Sequence, residues 1–363
     1  MIELYRSVRR GLRGALFAAC AATLGALAPQ AQAVFQDPAS TPAAQSAAAA
    51  QAPLIAVARA GERIVAVGLR GIVVYSDDQG ANWRQASVPV STDLVAVSFP
   101  NPQQGWAVGH GGIVIHTEDG GASWQKQFDG PSGAELARGY YERRAADDSS
   151  EHLAKVLQQA TMLAQDGTSQ AFLDVYFENE REGYIVGTFN RIFRTDDGGK
   201  SWVPWMDRTD NPQELNFYSI RGDGGAVWMT GEQGAVWKLD RGRGRFERKA
   251  TDYTGTLFGS LAVGDRVFVF GMRGSLFLSE SGGGEWRRLE VPGVGGITGG
   301  VSLADGRLLL ATQAGVVLSS SDGGKSFSRL QLARPMSYFG ISYAPGGGIA
   351  LVGIDGAKVE RLP

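Results

Sequence analysis

"GHGGIVIHTEDGGASW", residues 109–124, is one of several similar stretches in this chain of 363 residues. Six further copies begin at Gly68, Gly187, Gly231, Gly271, Thr312 and Gly353. The copies at Gly231 and Gly353 are the weakest matches. Successive copies start 40 to 44 residues apart, except for one step of 78 residues between the second and the third. The sequence therefore predicts seven repeated units with one insertion of about 37 residues.

Each unit is predicted to contain four short strands. In the second unit they are "LVAVSFP" (94–100), "WAVG" (106–109), "IVIHT" (113–117) and "WQKQF" (124–128). Apolar residues alternate within such segments, and clusters of turn-forming residues separate them. Four strands in a period of about 40 to 45 residues are typical of a β-propeller. The sequence therefore predicts an all-β, seven-bladed β-propeller over residues 53–363, with a helical insertion between blades two and three.

Residues 1–33 are interpreted as a signal peptide. Four arginines precede an apolar stretch at 14–28, and Ala31-Gln32-Ala33 forms an A-x-A cleavage pattern. The apolar stretch is shorter than the roughly 20 residues of a membrane span. We therefore expect cleavage after Ala33 and export to the periplasm or an equivalent extracytoplasmic compartment. Cys20, the only cysteine, lies within this segment, so the mature chain is expected to contain no disulfide.

The composition of the chain indicates a folded, turn-rich protein and limits the kinds of partner it can bind. With 51 Gly, 14 Pro and 43% hydrophobic residues, it suggests many tight turns and not disorder. The whole chain has a net charge of −2, and residues 1–33 contain four Arg and one Glu, which leaves −5 for the remainder. This charge argues against nucleic acid or an anionic membrane surface as a partner. Residues 34–52 include a low-complexity segment, and no later stretch is long and apolar enough to span a bilayer.

A second pattern, Ser/Thr-x-Asp-x-Gly-x-x-Trp/Phe, ends four of the copies. Its residues are Ser76, Asp78, Gly80 and Trp83; Thr117, Asp119, Gly121 and Trp124; Thr195, Asp197, Gly199 and Trp202; and Ser320, Asp322, Gly324 and Phe327. The fifth unit has Ser281 in place of the Asp, and the fourth has an extra residue before Phe246, which predicts a distorted turn. An Asp in a tight turn accepts backbone N–H bonds, a Gly adopts positive φ, and the aromatic ring can pack between sheets. The pattern is therefore predicted to be structural, and we expect no metal and no other cofactor.

This pattern resembles the Asp box, or BNR repeat, of sialidases and related propellers. Together with a G-x-x-G sequence before the third strand, it makes residues 53–363 similar to the seven-bladed propellers of the photosystem II stability and assembly factor type. The resemblance implies a non-catalytic scaffold that binds proteins through an Arg-rich patch and helps to assemble or stabilise a membrane-associated complex. Similar propellers occur in bacteria without photosynthesis, so an accessory protein of an envelope export system is an alternative.

Glycoside hydrolysis is a second alternative. Sialidases have an F/Y-R-I-P motif, which does not occur in this sequence. Tyr141 and Glu142 are adjacent, but neighbours on a helix point about 100° apart and do not make a site. Asp174, Asp210 and Asp252 could serve a two-carboxylate mechanism, but nothing in the sequence pairs them. The histidines have no metal-ligand spacing. We therefore expect no catalytic residues.

Propeller topology assigns the turns to two faces. The turns between strands two and three share one face with the connections between blades, whereas the Asp-box turns lie on the opposite face. Candidate partner-binding residues on the first face are Arg70, His110, Phe189, Arg191, Met272 and Arg273, together with Tyr140, Tyr141, Arg143 and Arg144 of the insertion. Arg, Met and aromatic side chains are enriched in protein interfaces, so we expect a protein partner here. Ordinary variation at exposed turn tips is the alternative.

The insertion, residues 129–170, is expected to emerge on the same face. Its second half carries an apolar helical stripe formed by Leu153, Val156, Leu157, Ala160, Leu163 and Ala164. Asp148 or Ser149 is expected to cap this helix, and the first half is expected to form a shorter helix. We hypothesise that the insertion is a lid or docking element over the central channel. Deletion of residues 131–168 is expected to leave a folded propeller.

Closure of the ring is predicted to involve the N-terminal segment. The seventh copy reaches Pro363 after its third strand. Residues 34–38, "VFQDP", are therefore expected to supply the outer strand of blade seven, and residues 52–58 are expected to open blade one.

Overall fold

Seven antiparallel sheets follow one another along the chain, and within each sheet the strands are hydrogen-bonded in sequence order. The computed structural model describes residues 36–166, 170–222, 225–249, 251–291, 293 and 295–362. In these residues six sheets have four strands and one has three. The predicted seven-bladed propeller, with a helical insertion between blades two and three, is confirmed. The predicted signal peptide and Cys20 lie outside the described residues.

The strands are numbered in chain order, and within each blade they run from the centre outward, with no described strand at the outer position of blade seven. The inner strands are β1 (Leu54–Ala60), β5 (Leu94–Ser98), β9 (Phe172–Phe177), β13 (Phe217–Gly222), β17 (Leu257–Val263), β21 (Ile297–Ser302) and β25 (Tyr338–Ala344). The second strands are β2 (Arg63–Gly68), β6 (Gly105–Gly109), β10 (Gly183–Gly187), β14 (Val227–Gly231), β18 (Arg266–Gly271), β22 (Leu308–Thr312) and β26 (Gly348–Gly353). The third strands are β3 (Val73–Ser76), β7 (Val114–Thr117), β11 (Ile192–Thr195), β15 (Val236–Asp240), β19 (Leu276–Ser279), β23 (Val317–Ser320) and β27 (Gly356–Arg361). The outer strands are β4 (Arg84–Gln85), β8 (Gln125–Phe128), β12 (Val203–Pro204), β16 (Arg245–Lys249), β20 (Arg287–Arg288) and β24 (Ser328–Leu330).

Apolar clusters between neighbouring blades hold the ring together. One cluster joins blades one and two and includes Val65, Ile115 and Trp124, whose ring meets that of Phe99 edge to face at 6.0 Å. The second strands lie deepest, and every residue of β6 is buried. A Cβ atom on Gly109, at the end of β6, would lie 1.9 Å from the carbonyl oxygen of Asp93. The first Gly of the G-x-x-G sequence therefore allows the connection between two blades to pass close to the sheet.

The Asp boxes form self-contained turns. In blade two the carboxylate of Asp119 accepts the backbone N–H groups of Ala122 and Ser123, each at 2.9 Å. The hydroxyl of Thr117 donates to Asp119 at 2.8 Å and accepts the N–H of Gly121 at 2.9 Å. In blade five Ser281 replaces the Asp and accepts only one of these backbone N–H groups, that of Glu285, at 3.1 Å. These bonds link residues within one turn, as a structural role requires.

Two helices form the insertion, α1 (Gly130–Asp147) and α2 (Glu151–Asp166). The expectation of a shorter first helix is wrong, because Arg138 pairs with Glu135 and with Glu142 along α1 and supports its full 18 residues. The expected cap of α2 is also displaced. The hydroxyl of Ser150 accepts the N–H of Leu153 at 3.3 Å, whereas Asp148 accepts the N–H of Ser150.

The insertion shares the core of blade three. Leu153, Val156, Ala160 and Leu163 of the predicted stripe are buried, and Leu157 packs against them. They join one cluster with Ala137 and Tyr141 of α1 and with Phe172, Phe193, Trp202 and Met206 of blade three. The cavity in the central channel is lined by residues of the blades and by none of the insertion. The described helices of the insertion therefore pack on blade three and do not form a lid over the channel, whereas a role as a docking element stays a prediction. Deletion of residues 131–168 would expose the blade-three core.

The outer strand of blade seven was expected at residues 34–38; residues 34 and 35 lie outside the described residues, and residues 36–38 form no strand. Residues 38–52 instead run along blade one. Pro38 accepts the N–H of Ser91, and Ala43 donates to Val88 at 3.1 Å, so this segment follows the outer side of blade one. Blade seven retains three described strands, β25 to β27. Ring closure instead comes from the packing of β1 against β25 and β26. The segment crosses blade one because Ser46 and Gln45 find hydrogen-bond partners there, at Gln85 and Ala86.

Candidate functional site

Hydrogen bonds between turns distinguish the two faces of the ring. The N–H of His110, in the turn between β6 and β7, donates to Asp93 in the connection from blade one to blade two. The N–H of Gly120, in an Asp box, donates instead to Gln103 in the turn between β5 and β6. We call the first side the turn face and the second the box face. The insertion lies on the turn face, since Gly130 at the start of α1 packs against Gly112.

Positive φ angles recur at the tips of the strand-two-to-three turns. The tip residues are Arg70 (φ 56°), Gly111 (φ 67°), Phe189 (φ 56°), Gln233 (φ 53°) and Arg273 (φ 57°). This backbone is uncommon for residues other than Gly, so the turn geometry is enforced by the packing below it. Large apolar side chains are exposed on these turns: Phe189 is 50% exposed, Met272 39% and Ile354 48%.

A ring of mostly apolar side chains lines the mouth of the channel on the turn face. It consists of the second residue of every inner strand, namely Ile55, Val95, Leu173, Tyr218, Phe258, Thr298 and Phe339. All seven are partly exposed and line a cavity of about 170 Å³. A break in the pairing register at this position in each blade turns the residue away from the ladder. We call this ring the channel collar.

The channel collar was not identified from the sequence. Its signal is present, because aligning the inner strands places an apolar or aromatic residue directly after the first buried residue in six of the seven units. Tyr218 and Phe258 lie 6.0 Å apart between ring centroids, and they form the aromatic side of the collar. Exposed apolar turn tips and an apolar collar together make the turn face a candidate for a macromolecular contact.

The candidate partner-binding residues differ in how far their side chains are exposed. Arg70, His110, Phe189, Met272, Arg273 and Arg143 are exposed on the turn face or on α1. Tyr140 and Arg144 are partly buried. Tyr141 and Arg191 are buried and do not present their side chains to a partner in this structure. Burial of these last two corrects the sequence-based assignment: Tyr141 of α1 faces the core of blade three, and Arg191 lies beneath the start of α1.

Asp93 connects the tips of blades one and two. Its Oδ1 accepts the backbone N–H of Arg70 at 2.8 Å, and its Oδ2 lies 3.5 Å from Nδ1 of His110. The side chain of His110 is 57% exposed. These contacts fix the turn backbones and leave the Arg70 guanidinium and the His110 ring at the surface.

Arg191 is buried beneath the start of α1. Its guanidinium carbon lies 4.5 Å from the ring centroid of Phe172, and a Cβ atom on Gly112 would lie 3.3 Å from its Nη2. Neither Nη1 nor Nη2 has a hydrogen-bond partner among the described residues. Burial lowers the pKa of Arg191 to about 10, so the side chain remains protonated at neutral pH. Asn190, with φ 59°, occupies the Gly position of the turn and directs the chain under the insertion.

Asp207 anchors the insertion to the end of blade three. Tyr141 donates its hydroxyl proton to Oδ1 of Asp207 at 2.9 Å, and Arg144 forms an ion pair with Oδ2. Nε2 of His152 lies 3.1 Å from the carbonyl oxygen of Asp207. Burial, followed by the charge of Asp207, raises the pKa of Tyr141 well above its usual value. A buried, neutral phenol of this kind is unsuited to act as a nucleophile.

The three acids considered for catalysis, Asp174, Asp210 and Asp252, do not form a catalytic pair in the structure. Asp174 is buried and accepts the N–H of Ile220 at 2.8 Å, and it forms an ion pair with Arg221 across blades three and four. Asp174 therefore links blades three and four and is not a free acid at the surface. Asp210 and Asp252 are exposed. Within the described ranges no group of three or more His, Cys, Asp or Glu residues is arranged to hold a metal ion.

A groove of about 660 Å³ runs beside α2. Its walls are Gln158, Gln159 and Met162 of the helix and residues 209–212 of the connection to blade four. The side chain of Gln159 donates to the carbonyl oxygen of Phe189 at 2.8 Å, which ties α2 to the exposed turn tip. Met162 is 47% exposed. The groove extends the turn face outward from the channel collar.

The two helices α1 and α2 bear on whether the described chain crosses a membrane. Neither α1 nor α2 is both long enough and apolar enough to cross a bilayer.

Comparison with known proteins gives one family and several similar folds. A family model described as "Photosynthesis system II assembly factor YCF48" matches residues 48–132 and 155–250. The solved structure of YCF48 bound to D1 peptide is 17% identical, with a TM-score of 0.63 over 89% of this chain and 100% of that chain. YCF48 from Cyanidioschyzon merolae is 15% identical, with a TM-score of 0.64 over 86% and 97%. The WD40 propeller domain of Doa1 is 10% identical, with a TM-score of 0.60 over 88% and 95%.

Proposed function

We propose that this chain, an Asp-box propeller of the photosystem II stability and assembly factor-like type, is a non-catalytic scaffold that binds a segment of another protein on its turn face. The similarity to the YCF48 family model and to a YCF48 structure that holds a D1 peptide supports a protein ligand. The ligand in that structure belongs to that protein. For this chain the ligand is defined by the chemistry of the turn face.

The observation that carries the proposal is the concentration of exposed apolar groups on one face. Phe189, Met272 and Ile354 project from turn tips, and the channel collar lies between them at the centre. Arg70, Arg273 and His110 lie on turn tips around the channel collar and add exposed polar groups. An apolar centre with a polar rim that contains Arg and aromatic residues fits a protein interface.

We further propose that the chain acts outside the cytoplasm on a membrane-associated complex. The predicted signal peptide at residues 1–33 supports export, and the family resemblance supports an assembly or stability role. Whether the complex belongs to photosynthesis or to envelope export depends on the host, and the same experiment addresses both cases.

The test is affinity capture from detergent-solubilised envelope membranes, quantified by mass spectrometry. The variant Phe189→Ser/Met272→Ser removes two exposed apolar tips of the turn face. The matched control, Lys200→Ser/Lys325→Ser, changes two exposed residues of Asp-box turns on the box face. The proposal expects particular membrane proteins to be captured by the wild type and the control, with recovery about tenfold lower for the turn-face variant.

Equal recovery by all three proteins would contradict the turn-face proposal. The absence of catalysis is tested separately by incubating the pure protein with a panel of glycans. Release of a sugar at a rate that scales with protein concentration would overturn the non-catalytic assignment. The capture experiment therefore tests binding at the turn face, and the glycan panel separately tests the absence of catalysis.

A further inference from the structure

The outer edge of blade seven is uncovered among the described residues. β27 pairs with β26 on one side, and no described strand pairs with it on the other. In other blades this edge is covered. The carbonyl oxygen of Val73 accepts the N–H of Ala86 at 2.9 Å in blade one, and that of Ile192 accepts the N–H of Trp205 at 2.9 Å in blade three.

The pairing register identifies the free backbone groups. Val67 pairs with Val73 in blade one, and Val352 pairs with Ala357 in blade seven, and each valine directly precedes the turn glycine. Ala357 therefore corresponds to Val73. Because backbone groups alternate along a strand, Ala357, Val359 and Arg361 direct their N–H and C=O groups away from β26. Such an edge is a template for an additional strand.

The segment before β1 approaches this edge and then leaves it. A Cβ atom on Gly356 would lie 1.9 Å from the carbonyl oxygen of Ala50, just as one on Gly71 would lie 2.1 Å from that of Val90. Ala50 thus stands where the connection after an outer strand lies in other blades. Toward the N-terminus the segment turns onto blade one, where Ser46 donates to Gln85 at 2.8 Å. It therefore leaves the fourth-strand position of blade seven unoccupied by residues 37–52.

A cavity beside this position indicates which side chains an added strand would carry. The cavity has a volume of about 430 Å³ and is lined by the apolar residues Ala49, Ala50, Val74 and Trp83 with Gln45, Ser46, Ala47 and Gln85. Trp83 is partly buried and packs in the same clusters as Ala357 and Val359. A strand on β27 would place alternate side chains toward this apolar wall.

The position corresponds to one missing strand, since the blades that flank blade seven have four described strands each. Blades one and six, which flank blade seven, carry the outer strands β4 and β24, and residues 38–52 add a further layer on blade one. Paired strands must approach to about 4.8 Å. An added strand must therefore lie at this distance from β27, in line with the outer strands of the other blades.

We propose that the outer edge of β27 binds an extended segment of a protein partner as the fourth strand of blade seven, with an apolar side chain directed toward Trp83. This site is separate from the turn face and would provide the partner with a second contact. Main-chain hydrogen bonds give such a contact its affinity, and the side-chain cavity gives it selectivity.

The probe for this site is a fluorescein-labelled peptide of residues 122–129, "ASWQKQFD", which contains the outer strand of blade two. Its binding to the full chain is measured by fluorescence anisotropy. Val359→Pro removes an outward N–H group without removing a bond to β26 and is expected to weaken binding at least about tenfold. Val359→Ala keeps the N–H group and is expected to bind as the wild type does.

Amide hydrogen exchange locates the bound peptide. The N–H groups of Ala357, Val359 and Arg361 are expected to exchange rapidly in the free protein and more slowly in the presence of the peptide. Slow exchange in the free protein would mean that the chain covers its own edge, and concentration-dependent protection would mean that a second copy does. Either result would overturn the proposal, as would peptide binding that is insensitive to Val359→Pro.

Discussion

The hydroxyl of Tyr141 lies 2.9 Å from Oδ1 of Asp207, and this bond joins the insertion to the end of blade three. Both side chains are largely buried, and Arg144 completes the neutralisation of the carboxylate. The insertion is therefore built into the propeller and is not a loosely attached lid. Its stability can be changed by single substitutions that leave the seven blades intact.

Tyr141→Phe is expected to weaken this attachment. It leaves the Asp207 carboxylate without one of its buried donors, which typically costs about 1–3 kcal/mol. Urea denaturation measures the loss of stability. Relative to the wild type, amide hydrogen exchange should become faster in α2 and should change less in β2 and β3. Unchanged exchange in α2 would mean that Tyr141 does not hold the insertion in place.

Arg191→Met is expected to stabilise the protein. The guanidinium is buried, has no hydrogen-bond partner for Nη1 and Nη2 in the described chain, and would be replaced by an apolar group of similar length. Removing a buried, unpaired charge should raise the free energy of unfolding by about 1–3 kcal/mol. The control Arg191→Lys keeps the charge and should give no gain. A loss of stability in Arg191→Met would show that the charge has a compensating partner.

Acid should destabilise the protein through the Asp boxes. In the folded chain the pKa values of Asp119 and Asp197 are lowered, because hydrogen bonds from Ser123 and Ser201 and from neighbouring N–H groups outweigh the opposing effect of burial. A lowered folded pKa gives stability that is complete above the unfolded value and is lost as the pH falls through the folded value. The part of the urea midpoint that comes from these two boxes should be constant from about pH 7 to 5 and fall below about pH 4. Asp119→Ser should reduce this dependence, and an unchanged pH profile would contradict the assignment.

Blade five offers a gain of stability. Ser281 stands where the other boxes have Asp, and Glu285 stands where Ser123 and Ser201 donate their hydroxyl groups to that Asp. Ser281→Asp alone should gain little, because Glu285 would repel the new carboxylate. Ser281→Asp/Glu285→Ser restores the donors and should add about 1 kcal/mol in chemical denaturation. The additional gain of the double variant over the single one is the decisive comparison.

Removal of residues 37–46 should lower the melting temperature. The deletion eliminates the bond from Ala43 to Val88 and those between residues 44–46 and blade one, and it opens the apolar cavity at Trp83. Differential scanning calorimetry of the exported chain with and without this segment measures the effect. An unchanged melting temperature would show that the segment does not contribute to the folded ring.

The sequence predicts most of the ring because its signals are local. An Asp followed by Gly and an aromatic residue sets a turn wherever it occurs, and a 41-residue repeat of such turns defines the blades. Packing between distant segments has no such signal. Arg191 is buried because α1 packs over it, and the position of α1 cannot be read from residues near Arg191 in the sequence. The course of residues 38–52 depends on hydrogen bonds to blade one. The turn of blade seven is also one residue shorter than those of the other copies, although the sequence motif has the same length. Gly353 pairs directly with Gly356, whereas Gly109 of blade two bonds to Ile113.

Site-specific photo-cross-linking in intact cells identifies the face of the propeller that contacts the partner. A benzoylphenylalanine residue is placed at position 189 on the turn face or, as the matched control, at exposed position 200 on the box face. If the turn face binds the protein partner, irradiation should give a discrete cross-linked product from position 189 and none from position 200. Products of the same partner from position 200 alone, or equally from both positions, would contradict the account.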